Sequence, residues 1–191
     1  MIDGGFEPTG RLLAGVAVVG LLGVATVLYR RRNRSSRPQL AAALDTALAD
    51  ALPSGRGTHL EQPPQVRGID VLEGGEGDET METQLAPAVR IDLETADTPG
   101  MELVFDYVAD VLEAIHPVLE DHDKPVVRYD LEFSFGPDGL LVEGECRRVT
   151  VPAAFAERLL EEETYRAFDL RKDVERVDER EDEVGTLWAA C

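Results

Sequence analysis

Hydrophobic and polar positions fall into four patterns along this chain. The first is an apolar run, Leu12–Tyr29, without a single charge. As a helix it reaches about 27 Å, close to the ~30 Å hydrocarbon core of a bilayer. Tyr29 stands where an interfacial aromatic belongs, and Arg30, Arg31, Arg32 and Arg34 follow at once. A cleaved signal peptide would start with positive charge and end in small residues, whereas Asp3 and Glu7 precede this run and arginines end it. The pattern therefore predicts one transmembrane helix over residues 12–29. Basic flanks stay in the cytoplasm, which places residues 1–11 outside the cell membrane and the bulk of the chain inside. Gly15, Gly20 and Gly23 lack a small residue four positions on, so no G-x-x-x-G pairing face is expected.

The second pattern occupies the basic juxtamembrane stretch, residues 30–52. Leu40, Leu44, Leu48 and Leu52 recur every four residues in an alanine-rich segment, which stacks them on one face of a short helix. That face suits pairing with a second copy or docking on the rest of the chain. Asp45 and Asp50 deny it the cationic surface that grips anionic lipid. Over residues 53–85 periodicity is lost. Pro63-Pro64, Gly74-Gly75 and an acidic run from Glu73 to Glu82 predict a flexible linker, with Ile69, Val71 and Leu72 as a short sticky segment.

The fourth pattern, residues 86–191, reads as a domain. Val89, Ile91 and Leu93 alternate with polar residues, as in a half-buried strand. Thr98-Pro99 then opens a helix whose stripe is Val104, Tyr107, Val108, Val111, Leu112 and Ile115, with Pro117 expected to end it. Val127, Tyr129, Leu131, Phe133 and Phe135 alternate with Arg128, Asp130, Glu132 and Ser134. Gly136-Pro-Asp-Gly139 has the chemistry of a turn, and Leu140, Val142, Gly144 and Cys146 lead back.

A tight hairpin sets Phe133 opposite Val142, Leu131 opposite Gly144 and Tyr129 opposite Cys146, which makes that thiol a core residue. On the other face it sets Asp130 against Glu145, Glu132 against Glu143 and Arg128 against Arg147. Like charges across a ladder repel, so that face is expected to be screened by salt or covered by a cationic surface. The apolar phase then moves to Val149 and Val151, which predicts a bulge near Arg147-Arg148. Pro152 opens a second helix carrying Phe155, Ala156, Leu159 and Leu160, and Tyr165, Phe168, Leu170, Val174 and Val177 extend it or form another. Residues 178–183 are almost wholly charged, and Trp188 can fold back on the core.

The expected fold class is thus α+β: an N-terminal transmembrane helix, then a small three-stranded sheet domain in the order β-α-β-β-α. Helices cover one face, and a charged helical tail follows.

Charge sharpens this picture. The formal net charge is −19, from 38 acidic and 19 basic residues, and Lys124 and Lys172 are the only lysines. Such a surface repels nucleic acid, which is excluded as a partner. Molar salt shortens the Debye length to ~3 Å and screens the self-repulsion, so the composition points to halophilic adaptation. Two cysteines, Cys146 and Cys191, are too few for a disulfide framework.

His116 and His122 are the candidate metal ligands, with Glu120, Asp121 and Asp123 beside them. Their spacing is not H-E-x-x-H, and Pro117 between them argues for a solvated loop instead. No nucleophile motif, phosphate loop or zinc pair accompanies them, and no cofactor is expected. The sequence therefore suggests a membrane-anchored, acidic, cytoplasmic protein that is a non-enzymatic interaction or assembly module. Its partners would be the lipid bilayer and another protein or a second copy of itself. The candidate contact residues are Leu40, Leu44, Leu48 and Leu52 on the helix, and Arg128, Asp130, Glu132, Glu143 and Glu145 on the sheet. The alternative is a membrane-bound metal-dependent hydrolase built on His116 and His122.

Overall fold

A computed structural model describes residues 37–55, 59–73, 83–136, 144–179 and 187–191. By contacts the chain divides into Met1–Leu40 and Ala41–Cys191, and nearly all described residues belong to the second unit. The elements are helix α1 (37–51), strands β1 (Gln65–Glu73) and β2 (Thr83–Asp92), helix α2 (Met101–Glu120), strands β3 (Arg128–Phe135) and β4 (Glu145–Pro152), helices α3 (Ala153–Glu161) and α4 (Ala167–Asp178), and the short strand β5 (Ala189–Ala190). The strands form one mixed sheet in the order β1-β2-β3-β4-β5. β2 and β3 are parallel, with α2 as their crossover, and the other neighbours are antiparallel.

The sheet segregates by side-chain parity. Val89, Ile91, Tyr129, Leu131, Phe133, Val149 and Val151 are wholly buried on one face. The buried stripe of α2 packs on that side, as the bond from Tyr129 to His116 shows. Each fully buried Leu, Val or Phe contributes roughly 1.5–3 kcal/mol through area removed from water. Leu44 and Leu48 of α1 are also wholly buried, and Leu40 and Leu52 nearly so. Asp45 ties that helix to the sheet by accepting the Val66 N–H at 2.7 Å.

Several expectations are corrected. The sheet has five strands, not three. β1 lies inside the stretch read as linker, and a bulge between Val66 and Gly68 breaks the alternation that would have revealed it. β5 has only two residues, too few to show a period. The transmembrane element is withdrawn: among the described residues no helix is long and apolar enough to cross a membrane. Leu12–Tyr29 and its collar of Arg30, Arg31, Arg32 and Arg34 lie outside the described residues.

α2 runs through Pro117 to Glu120. The proline forfeits one backbone bond. Burial of Ile115, His116 and Leu119 nevertheless holds the last turn in place.

The β3–β4 register is also corrected. Tyr129 faces Val151, Leu131 faces Val149 and Ser134 faces Cys146. Tyr129 was expected opposite Cys146, so the pairing has slipped by five residues (151 against 146). An odd slip moves every β4 side chain to the other face. The change of phase at Arg147-Arg148 is therefore the true register and not a bulge. Cys146 leaves the core side, and it bonds to Cys191 across a Cα–Cα distance of 5.5 Å.

Candidate functional site

The face of the sheet opposite α2 carries polar residues of β1 to β4. In the observed register Ala88 neighbours Asp130, Arg90 neighbours Glu132, and Asp92 neighbours Ser134. On the other side of β3, Asp130 faces Thr150 and Glu132 faces Arg148. The like-charge ladder expected from the hairpin is replaced by complementary pairs. Asp130 accepts the Thr150 hydroxyl at 2.8 Å and the Arg128 Nε–H at 3.2 Å. Glu132 lies between Arg67, at 3.9 Å, and Arg148, at 3.8 Å. Arg90 donates to Asp92 at 2.7 Å, and Gln62 donates to its second oxygen at 2.8 Å.

Burial by itself raises the Asp92 pKa. Hydrogen bonds from Arg90, Gln62 and Ser134, with the charge of Arg90, outweigh it and hold the carboxyl below its ordinary value.

Exposure sorts these charges by depth. The side chains of Arg67, Arg90, Arg128 and Arg148 are 55%, 42%, 42% and 36% exposed, against 14% for Asp92, 9% for Asp130 and 17% for Glu132. The carboxylates lie deeper than the arginine side chains, although the Nε of Arg148 is itself buried. Planar arginine forks held this way lose little rotamer freedom on meeting a carboxylate. A groove of about 420 Å³ opens at one end of the face, between Gln62, Arg90, Asp92, Ser134, Gly144 and Cys146.

Of the sheet residues singled out, Arg128 bonds to Asp130, and Glu132 lies on the same strand beside Arg67 and Arg148. Glu145 instead pairs across from Phe135, and its carboxylate is 3.4 Å from Arg147. Glu143 lies outside the described residues. Reading the sequence missed Arg67, Arg90, Asp92 and Arg148. The alternation around Val89 and Ile91 did signal that Arg90 and Asp92 share a face. Their neighbours on β3 follow from a parallel pairing that has no local signature.

The histidines form a second cluster. His116 is 4% exposed on α2, not in a solvated loop, and its Nδ1 is 2.5 Å from the Tyr129 hydroxyl. Burial first, then the charges of Glu120 and Glu157, push the Tyr129 pKa well up, so the phenol keeps its proton; the imidazole tautomer sets which of the hydroxyl and Nδ1 donates. His116 Nε2 then faces Glu120 at 3.6 Å, beyond hydrogen-bonding distance, and has no bonded partner. His122 Nδ1 is likewise buried and unpartnered. Both rings line a cavity of about 140 Å³ with Glu120 and Glu157. The structure thus brings His116 and His122 together. Among the described residues, however, only Glu132, Cys146 and Cys191 bring three ligand atoms within 4.8 Å of one another, and the two sulfurs are bonded.

A third cluster clamps α3 to α4. Arg158 donates to Asp173 at 2.6 Å and to Glu162 at 3.1 Å, lies 4.3 Å over the Tyr165 ring, and shares Asp173 with Arg176 and the Tyr165 hydroxyl. Every charge in it has a partner inside the cluster, so its chemistry is that of a fastener.

No protein-family model, curated protein or solved structure matches this chain.

Proposed function

We propose that the chain is a non-enzymatic protein-interaction module that docks a partner's acidic surface on the polar face of its sheet, opposite α2. One observation carries this reading. In a chain of net charge −19, four arginines gather on one face; carboxylates bond and orient Arg90 and Arg128, and Arg67 and Arg148 lie 3.9 and 3.8 Å from Glu132. Interfaces favour arginine, and pre-organised forks reduce the entropy lost on binding. The leucines of α1 are buried within the chain, so the sheet face and not that helix is the surface offered.

The test is quantitative co-purification from native cells at native salt, with wild type beside the Arg67→Glu/Arg128→Glu double variant. The reading expects at least one protein enriched reproducibly by wild type and lost from the variant, with the two folded equally by circular dichroism. An identical set of proteins with both, or no reproducible enrichment, refutes it.

A second reading, a metal-dependent hydrolase, draws on the two unpartnered imidazole nitrogens at one cavity. Metal analysis of the purified protein decides it. Stoichiometric metal lost in a His116→Ala/His122→Ala variant supports that reading, and no metal in wild type removes it.

A further inference from the structure

The C-terminal residues Leu187–Cys191 run along the open edge of β4 as a strap. β5 makes only two rungs, to Arg147 and Arg148. Trp188 stacks on Phe135 with centroids 5.8 Å apart and planes 9° from parallel, and it tilts against Phe133 at 5.9 Å. Leu187 N–H donates to Asp178 at 3.0 Å. Trp188 sits at φ 61, a left-handed conformation that a bulky side chain adopts at a cost. A two-residue strand is marginal in water, so what fixes the strap is the Cys146–Cys191 bond.

That bond is open to attack. Cys191 is exposed and Cys146 half-buried at the rim of the sheet-face groove. Beneath the strap, Phe133 and Phe135 are 0% and 4% exposed. Exposed disulfides that hold a weakly paired segment are the kind that thiol exchange opens.

We infer that Cys146–Cys191 is a reducible latch: a dithiol reductant opens it, and the strap leaves the Phe133/Phe135 surface and the β4 edge. The reductant's thiolate attacks the exposed Cys191 sulfur. The S–S bond breaks, and Cys146 departs as a thiolate that takes a proton from water. The reductant's second thiol then displaces Cys191 from the mixed disulfide. The chain gains two electrons and two protons, and the dithiol is oxidised to its own disulfide. Release uncovers an apolar aromatic patch beside an unpaired strand edge, a surface that takes an added β-strand from a partner. The inference does not rest on the proposed partner of the arginine face, although β5 pairs with Arg148 of that face.

Trp188 is the only tryptophan, so it reports the strap directly. The experiment follows fluorescence and acrylamide quenching of the full chain at native salt, before and after treatment with dithiothreitol, with free thiols counted by alkylation and mass. The latch expects an oxidised bond on isolation under non-reducing conditions. Reduction should then give two free thiols, a red shift, loss of quencher protection and unchanged far-UV circular dichroism. Cys191→Ser should show the released spectrum without reductant. Three results would overturn it: two free thiols with Trp188 still protected, loss of far-UV signal on reduction, or two free thiols on non-reducing isolation.

Discussion

Tyr129→Phe tests the buried polar pair. The ring is wholly buried, and among the described residues its hydroxyl is the only hydrogen-bonding partner of the His116 ring. Removing the oxygen leaves Nδ1 buried without a partner, a penalty of about 1–3 kcal/mol. A loss near 2 kcal/mol results, about thirtyfold in the unfolding equilibrium. The geometry also predicts non-additivity. In the Tyr129→Phe/His116→Leu double variant both polar groups are gone, so its cost should fall below the sum of the single costs. Guanidinium unfolding of the four proteins at constant high salt, read by far-UV circular dichroism, completes the cycle. A single-variant loss under ~0.5 kcal/mol, or strict additivity, would refute the assignment of this bond.

Other outcomes follow from the same structure. With a net charge of −19, the unfolding midpoint should rise steadily between about 0.1 M and about 3 M KCl, and a flat response would count against self-repulsion as the dominant field. Asp92 and Asp173 have lowered folded pKa values, so each adds stability above the unfolded carboxylate range that is lost as pH falls through the folded value; acid titration of Asp92→Asn and Asp173→Asn should show shallower loss than wild type. Burial, then Glu113 and Asp106, raise the Asp110 pKa, so its proton is held more tightly in the fold and Asp110→Asn should raise the melting temperature at neutral pH. A Cβ at Gly144 would meet the Phe135 carbonyl oxygen at 2.9 Å, so Gly144→Ala should cost about 1–3 kcal/mol by thermal melt, against no loss if that strand start shifts freely.

How far the sequence could be read depended on how local each signal was. The stripe Val104 to Ile115 and the alternation from Tyr129 to Phe135 each repeat a period over many residues, and both elements form there, although the helix starts at Met101 and runs past Pro117. β1 escaped because one extra residue near Arg67 inverts its period halfway along. The hairpin register was misread because Gly136-Pro-Asp-Gly139 looks like a tight turn, whereas pairing starts only at Glu145. That error carried over to Cys146, which was placed in the core and faces Ser134 on the other side. The disulfide itself joins residues 45 apart, a long-range contact with no local trace. For the arginine face, Arg128 with Asp130 and Glu132 was legible as one row. Arg67 and Arg148 joined it only once strands distant in sequence were set side by side.

Site-specific photo-crosslinking in native cells reaches the proposed role most directly. A photoreactive residue at position 67, on the arginine face, is compared with one at position 175, on α4. The account predicts a discrete protein adduct from position 67 and none from position 175. No adduct at 67, or the same adduct from both positions, would contradict it.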